Sequence, residues 1–536
     1  MRDGAALATD VYLPTGHGPF PAVLVREPYD KNGRYTFMSA IGPRFNERGY
    51  AFVVQDVRGK FRSGGRVPTV PYIYEIEDGY DTIDWIASSP WSNGVVGAWG
   101  DSYYGWTQWA AVAAGHPALA AIVPRVATAD APVDRFLAPW DRAAPKLYFA
   151  ELFTTCWLDE YLYVFDLDWS RRPLTEVFED AFAAAGRRSE SVDDLVGGAA
   201  RTARYDVFRG RKHPFDTLKI PVLNEGGWFD VVAPQQMRDY ATMSSDRRTA
   251  GLQWLSMDSS DHDSYRLEDT PITAATDHET SDAGLDRWLD GYLRHGLEFF
   301  DVHLRGRLGA PPRVRWHLAH VGWQQGDVWP PPGVEDHRLF MTHGARAGVD
   351  ADGGGLSPVP DAGLTSAVWT HDPETLVPST VIDPFAFLRE LPDEREVQGR
   401  GDVMTFTSQP FDAPLDLAGP VRLTVTVRTD APSIPVFAKL SDVSPEGTSR
   451  MLVRGDVLIA SPDGRPVEMS LGHLGYRVQA GHRLRLHVAA SDFPLFAWHP
   501  GTNENPWHAS RSVPRQVCLD CSDASVLIVT ALRTRV

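Results

Sequence analysis

The sequence predicts an α/β core built on a parallel sheet, an inserted helical cap and a C-terminal all-β sandwich of the jelly-roll kind. Three observations lead to this fold class. Strand-like and helix-like segments alternate in residues 1–125 and again in 216–312, which is typical of βαβ units. Residues 126–215 show helical patterns without strand alternation. Residues 313–536 contain short alternating strands separated by turn residues, as sandwiches do.

The core strands are predicted from apolar, β-branched runs that suit burial on both faces of a sheet. These runs are FPAVLVREPY, YAFVVQDVRG, VVGAWGDS and LAAIVPRVA in the first part of the core, and IPVLNEGGWFD and LQWLSMDSSDH in the second. Tyr80, Ile83 and Trp85 recur at roughly helical spacing, which predicts a helix that ends by Pro90 and Gly94. The segment DRWLDGYLRHGL predicts another helix with one apolar face.

Two apolar stretches, residues 144–169 and 175–200, predict the helices of the cap. The Pro-rich segment GDVWPPPG at 326–333 marks the change to the all-β region. Strands of that region are predicted from the runs RLFMTHG, DVMTFTSQPF, VRLTVTVRTDAP, VFAKLSDVSPEG, HRLRLHVAAS and ASVLIVTALR.

Composition and charge exclude several classes of protein. A chain of 536 residues is expected to form two or three domains, and a formal net charge of -18 argues against a nucleic-acid or anionic-membrane partner. No apolar run long enough to span a membrane and no signal peptide is visible. Three cysteines favour a reducing, cytoplasmic compartment. Cys518 and Cys521 form a single C-x-x-C without a second pair, so we expect no zinc site there.

The segment Gly100-Asp101-Ser102-Tyr103-Tyr104-Gly105 lies where a predicted strand gives way to a helix. A nucleophile elbow needs a serine in this place, with small neighbours because the backbone doubles back beneath it. The second glycine comes one residue later than in the usual G-x-S-x-G pattern. A Gly-rich turn with a solvated or helix-capping serine is the alternative interpretation.

An acid and a histidine follow Ser102 in the chain order that an α/β-hydrolase requires. Asp230 follows the strand that ends in Gly-Gly, and His262 follows the next strand. In this hypothesis His262 takes the proton of Ser102, while Asp230 orients the imidazole and stabilises its charged form. A helix N-cap for Asp230 and a loop position for His262 are the alternatives.

Two donors are candidates for an oxyanion hole. The backbone N–H of Tyr103 directly follows the nucleophile, as the elbow geometry requires. Tyr29 ends an early strand in VLVREPYDKNG, where a hydroxyl is able to serve as the second donor.

These residues resemble the CocE/NonD family, which groups cocaine esterase, α-amino-acid ester hydrolases, glutaryl acylases and X-prolyl dipeptidyl aminopeptidases. The resemblance covers nearly the whole chain. It is carried by the segments MRDGAALATDVYLP, REPYDK, QDVRGKFRSGG, EDGYDTIDWIASSPWSNGVVGAWGDSYYGWTQW, GGWFD, WPPP and FAKLSDVSPEG. The elbow of this family commonly reads G-x-S-Y-x-G, which accommodates the late glycine.

The resemblance implies a serine hydrolase that acts on esters, amides or short peptides without a metal or organic cofactor. It implies that Ser102, Asp230 and His262 form a catalytic triad, and that Tyr29 and the amide of Tyr103 form the oxyanion hole. The cap then covers an acyl pocket. Candidates for the pocket wall are Trp106, Trp157, Trp228 and Phe229, with an ordinary place in the core as the alternative for each.

The sequence departs from the family pattern in three places. The turn before His262 reads MDSSDHD rather than a GPW-x-H-like sequence, so His278 is a second candidate base. The segment GRVPTVPYIYEIEDG also differs, which predicts a reshaped pocket wall. The strand that usually precedes the MRDG segment is missing, which points to a misassigned start or a trimmed sheet edge.

Two other functions compete with simple hydrolysis. An acyltransferase or an X-prolyl dipeptidyl aminopeptidase would use the same scaffold, and a peptidase would need an anchor for an amino group. The acids of the cap are candidates for that anchor: Asp159, Glu160, Asp166 and Asp168. A non-catalytic protein that binds ligands through the jelly roll is the second alternative. A homo-oligomer is left open.

Overall fold

The computed structural model describes residues 1–68, 71–129, 140–197, 205–307, 309–381 and 383–533. Within these ranges the strands form two sheets, one of nine strands and one of eleven. Helices flank the first sheet and build the cap. In the same ranges, no helix is both long and apolar enough to cross a membrane.

The first sheet has the order β1-β3-β2-β4-β5-β6-β7-β8-β9. Its strands are β1 Thr9–Tyr12, β2 Phe20–Glu27, β3 Ala51–Asp56, β4 Ser92–Asp101, β5 Leu119–Arg125, β6 Val222–Gly227, β7 Gln253–Asp258, β8 Val314–Leu318 and β9 Gly322–Gly326. Neighbours from β3 to β8 pair in parallel, while β1 and β9 are antiparallel at the two edges. Strands β2 and β3 are almost entirely buried, as their apolar runs predict.

The helices lie between the strands of the core, in the cap and in two short turns of the all-β region. They are α1 Met38–Glu47, α2 Glu75–Ser88, α3 Ser102–Ala114, α4 Leu147–Trp157, α5 Thr175–Ala185, α6 Glu190–Gly197, α7 Pro214–Thr217, α8 Ala233–Ser245, α9 Asp282–His303, α10 Phe387–Glu390 and α11 Arg395–Gln398. This alternation with parallel strands confirms the predicted α/β-hydrolase core.

The cap differs from the prediction in one stretch. Helix α4 ends at Trp157, so residues 158–169 are not helical although their apolar pattern predicts a helix. The reason is a tertiary contact, because the ammonium of Lys60 binds the backbone carbonyls of Cys156, Asp159 and Tyr161. Helices α5 and α6 lie in the second predicted stretch, whose last residues, 198–200, are outside the described part.

The second sheet has the order β12-β19-β14-β20-β10-β11-β13-β18-β15-β16, and β17 pairs with β14. Its strands are β10 Val334–Thr342, β11 Gly354–Ser357, β12 Thr365–His371, β13 Met404–Ser408, β14 Leu415–Thr429, β15 Ser433–Val443, β16 Ser449–Ala460, β17 Asp463–Val478, β18 Arg483–Ala489, β19 Arg515–Cys521 and β20 Val526–Leu532. The predicted all-β C-terminal region is therefore confirmed.

The start of the second sheet differs from the predicted boundary at residue 313. Strand β8 pairs with β7 and β9 pairs with β8, so both belong to the first sheet. The second sheet begins with β10, directly after the Pro-rich segment. Short strands with turns look alike in sequence whichever sheet they join, because partner choice is a long-range property.

Candidate active site

The serine elbow has the strained backbone that its sequence predicts. Ser102 begins α3 directly after β4 and has a φ of 50°, a left-handed value that is uncommon for residues other than glycine. Gly100 has a φ of 139°, and a Cβ there would lie 2.0 Å from the ring of Tyr104. A Cβ at Gly105 would lie 2.5 Å from the Cβ of Ala127. Both glycines are therefore required by close packing, which explains the late second glycine.

Polar and charged groups fix the position of Asp101, the residue before Ser102. The Asp101 carboxylate accepts a hydrogen bond from Arg125 Nε at 2.8 Å and one from the Tyr292 hydroxyl at 2.6 Å. Arg125 also pairs with Glu225 on β6 at 3.0 Å. The elbow is thus tied to β5, β6 and α9 by partly buried ionic hydrogen bonds.

The turns that carry Asp230 and His262 are bonded to each other. The N–H of Trp228 donates to the carbonyl of Asp258 at 2.9 Å, and the N–H of Phe229 donates to that of Ser260 at 3.0 Å. A Cβ at Gly227 would lie 2.0 Å from the Ser260 carbonyl oxygen, so this close approach requires glycine.

His262 Nδ1 lies 2.7 Å from Asp230 Oδ1, which also accepts the N–H of Val232 at 2.9 Å. Both side chains are buried. Burial opposes the imidazolium, but the Asp230 carboxylate and its hydrogen bond outweigh burial and raise the pKa of His262 to about 9. The contact fixes the imidazole so that its other nitrogen, Nε2, is left for proton transfer.

Ser102 and His262 line the same two cavities. The first, which we call the aromatic cavity, is lined by Tyr29, Tyr72, Ser102, Tyr103, Trp106, Val126, Ala127, Thr128, Phe149, Leu152, Phe153, Cys156, Trp157, Val232, His262 and Phe385. The Tyr29 side chain is hydrogen bonded to Ser102, and burial raises the pKa of Tyr29 well above its ordinary value. Tyr29 therefore keeps its proton and is a donor beside the serine.

The second cavity, which we call the acidic cavity, also borders Ser102. It is lined by Tyr29, Tyr35, Thr36, Phe37, Asp101, Ser102, Tyr104, Leu152, His262, Asp263, Ser264, His278, Glu279, Trp288, Tyr292 and Phe385. Burial, reinforced by Asp383 and Glu279 and opposed by His262, raises the pKa of Asp263 to about 7.

His278, the second candidate base, lines the acidic cavity but has no described contact with Asp230. Its ring stacks on Trp288 with centroids 4.5 Å apart and an interplanar angle of 5°. Burial lowers the pKa of His278 to about 4. The geometry favours His262, which contacts Asp230.

Two of the four predicted pocket aromatics lie in the aromatic cavity, namely Trp106 and Trp157. Trp228 and Phe229 line neither of the two cavities that contain Ser102, because the Gly-Gly turn places them against β8 and the all-β region. Trp228 Nε1 donates to the carbonyl of His317 at 2.9 Å, and Phe229 stacks on Phe387.

The cap supplies wall residues beyond the predicted Trp157, among them Phe149 and Phe153. Phe149, Phe153 and Trp157 recur every four residues along α4, a helical spacing that places them on one face. That spacing is visible in the sequence and indicates that the three aromatic residues share one face of the helix. Phe385 comes from the segment between β12 and β13, and its ring centroid lies 5.1 Å from that of His262. Nothing local in the sequence points to it.

The proposed acidic anchor of the cap lies elsewhere. Asp159, Glu160, Asp166 and Asp168 are absent from the described walls of both cavities. Asp159 pairs with Arg187 at 2.9 Å, and Asp168 accepts the hydroxyl of Ser170. The acidic residues that line the cavity beside Ser102 are instead Asp101, Asp263 and Glu279.

Comparisons with known proteins agree with this fold. Residues 3–263 match the model of the X-Pro dipeptidyl-peptidase (S15) family, and residues 307–528 match that of the X-Pro dipeptidyl-peptidase C-terminal non-catalytic domain. Cocaine esterase of Rhodococcus sp. is 29% identical over 547 residues, an alignment that covers 92% of this chain and 90% of the esterase. A putative serine esterase of Mycobacterium tuberculosis is 25% identical, with 94% of this chain and 91% of the esterase covered.

Two solved structures share the whole architecture. An aminopeptidase from a marine sediment Thaumarchaeota archaeon superposes with a TM-score of 0.77 and 21% identity, and an α-amino acid ester hydrolase with 0.76 and 23%. Each covers 99% of this chain and 95% of its own. The class is therefore a serine hydrolase with an α/β-hydrolase core. Within that class, the chain combines a domain of the X-Pro dipeptidyl-peptidase (S15) family with the C-terminal non-catalytic domain of those peptidases, and it is similar to cocaine esterase over nearly its whole length.

Proposed function

We propose that this enzyme hydrolyses small-molecule esters or amides through an acyl-enzyme formed on Ser102. The observation that carries the proposal is the 2.7 Å contact between His262 Nδ1 and Asp230 Oδ1 beside cavities that Ser102 also lines. An oriented imidazole beside a half-buried serine with a strained backbone is the arrangement that nucleophilic catalysis needs.

The reaction proceeds in two steps. Ser102 Oγ attacks the substrate carbonyl, and its proton passes to His262 Nε2. His262 then gives that proton to the departing alcohol or amine as the carbon–oxygen or carbon–nitrogen bond breaks. In the second step His262 deprotonates water, which attacks the acyl-enzyme and releases the acid and Ser102. Asp230 stabilises the imidazolium in both steps.

The oxyanion is stabilised by the Tyr29 hydroxyl and the N–H of Tyr103. Tyr103 is the second residue of α3, where backbone N–H groups have no acceptor within the helix and the helix dipole favours negative charge. The aromatic cavity receives the acyl group because its wall is largely apolar.

A fluorophosphonate probe tests the proposal, because it labels an activated serine without requiring the natural substrate. Wild-type protein is expected to label at Ser102, and Ser102→Ala is expected to lose both labelling and several orders of magnitude in ester turnover. Ser88→Ala, which changes the exposed serine that ends α2, serves as the matched control. Full turnover by Ser102→Ala would refute the assignment, and absence of any labelling would favour a binding protein.

A second candidate is cleavage of substrates with a free amino group, as an aminopeptidase does. Asp263 in the acidic cavity favours it, since a cationic amine would pair with the Asp263 carboxylate and counteract the burial that raises its pKa. Glu279 is already paired with Arg389 at 2.9 Å. An acyltransferase would share the acyl-enzyme and differ only in the acceptor.

The amine preference is testable by comparing an amino-acid p-nitrophenyl ester with its N-acetylated form. If the second candidate is right, the free amine is the better substrate, and Asp263→Asn lowers kcat/KM for it by about tenfold while sparing the N-acetylated ester. Asp290→Asn, a change on the exposed face of α9, is the control. Equal use of both esters by wild-type protein would remove this candidate.

We propose a cytoplasmic location for the enzyme. The support is that Cys156, Cys518 and Cys521 are all free thiols, which a reducing compartment maintains. Cell fractionation of the source organism would test this.

A further inference from the structure

The loop that follows β3 places a lysine ammonium at the C-terminal end of cap helix α4. Lys60 is fully buried. Its Nζ donates to the backbone carbonyls of Cys156 at 2.6 Å, Asp159 at 2.8 Å and Tyr161 at 3.0 Å. An ammonium has three donors, and each finds one carbonyl. These acceptors lie where a helix ends and its last carbonyls lack helical partners.

The helix that Lys60 holds forms one wall of the aromatic cavity. Phe149, Phe153 and Trp157 of α4 line that cavity. The Trp157 ring also lies 5.5 Å from Lys60 Nζ. The next residue in the loop adds a second tie, because the N–H of Phe61 donates to the carbonyl of Glu160 at 2.9 Å. The core loop thereby fixes the position of the cap wall relative to Ser102.

Burying the Lys60 ammonium away from water costs free energy, which indicates that the hydrogen bonds it makes there are important. Burial lowers the pKa of Lys60 to about 8, against the opposing effects of Cys156, Asp159, Glu160 and Glu27. The ammonium is therefore the main form at neutral pH. An apolar side chain would avoid this desolvation, but it would leave three carbonyls without a donor.

We propose that Lys60 is a positioning residue that determines acyl-group specificity. Its ammonium clamps the end of α4 and so sets the shape of the apolar wall that receives the acyl group. Lys60 does not contact the reacting atoms. The inference rests on the proposed function, since it assigns the acyl group to the aromatic cavity.

Lys60→Met tests the clamp, because the methionine side chain is similar in length to lysine but has no N–H donors. The substrates are p-nitrophenyl acetate, whose acyl group hardly reaches the wall, and p-nitrophenyl phenylacetate, whose ring needs it. We expect kcat/KM for the phenylacetate to fall by about tenfold, mainly through KM, and that for the acetate to change less than about twofold. Fluorophosphonate labelling of Ser102 should persist. Arg62→Met is the matched control, because it removes an exposed cation of the same loop that pairs only with Asp30 among the described residues.

The outcomes separate this inference from the proposed function. An unchanged ratio of the two specificity constants in Lys60→Met would overturn it, as would an equal loss for both esters carried by kcat. If Lys60→Met does not fold, Lys60→Gln takes its place, because the shorter, uncharged amide loses the charge and one of the three donors, and an unaltered ratio there also overturns the clamp. If wild-type protein neither labels nor turns over either ester, the proposed function itself fails.

Discussion

At the scale of single residues, the site is built from a few close contacts that leave little freedom. Gly100, Gly105 and Gly227 allow backbone approaches that any side chain would block. The candidate triad follows from sequence reasoning, because the elbow motif and the chain order of Ser102, Asp230 and His262 restrict the choice. What the sequence cannot supply is the pairing of side chains distant in the chain, such as Lys60 with the end of α4.

The pH dependence of activity belongs to this scale. His262 must be neutral to accept the serine proton, and Asp230 raises the pKa of His262 to about 9. We therefore expect kcat/KM to rise with pH from 7 and to level off above about 9, measured with a neutral p-nitrophenyl ester.

Asp230→Asn is the matched variant for that profile. Loss of the carboxylate removes the interaction that favours imidazolium, so the rise should move to lower pH while the maximal kcat/KM falls by orders of magnitude. A profile that is flat from pH 7 to 9 in wild-type protein, or an unmoved rise in the variant, would contradict this account of His262.

At the scale of elements, tertiary contacts override local patterns in the cap. The apolar pattern of residues 158–169 predicts a continued helix, yet Lys60 binds the carbonyls that such a helix would need for its own hydrogen bonds. The core elements are predicted more reliably, since strands β2 to β5 are long apolar runs between clear turn signals. Trp228 and Phe229 show what the sequence does not predict. Their position next to Asp230 in the chain is evident from the sequence, but the direction in which the turn projects their side chains is not.

At the scale of the whole molecule, the all-β region completes the site. The N–H of Leu388 donates to the buried Asp261 carboxylate at 2.7 Å, and the N–H of Asp263 donates to the carbonyl of Phe385 at 3.1 Å. The turn that bears His262 is therefore held from both sides. Neither contact is visible in the sequence, because the partners are more than a hundred residues apart.

Phe385→Ala tests this contribution. Removal of the ring beside His262 should lower kcat/KM for p-nitrophenyl phenylacetate by about tenfold, because the aromatic cavity loses part of its wall. Phe411→Ala is the control, since Phe411 packs on the same apolar core away from both cavities. Equal kinetic effects of the two variants would show that Phe385 acts only through stability.

The central claim is that one serine, activated by a histidine that a carboxylate orients, carries the acyl group. Peptide mass spectrometry of enzyme quenched during turnover of a slowly hydrolysed ester tests it most directly. We expect one added acyl mass on the peptide that contains Ser102, which builds up in wild-type protein and is absent from Ser102→Ala. An acyl mass on another residue, or turnover without any covalent adduct under conditions in which deacylation is slow, would contradict it.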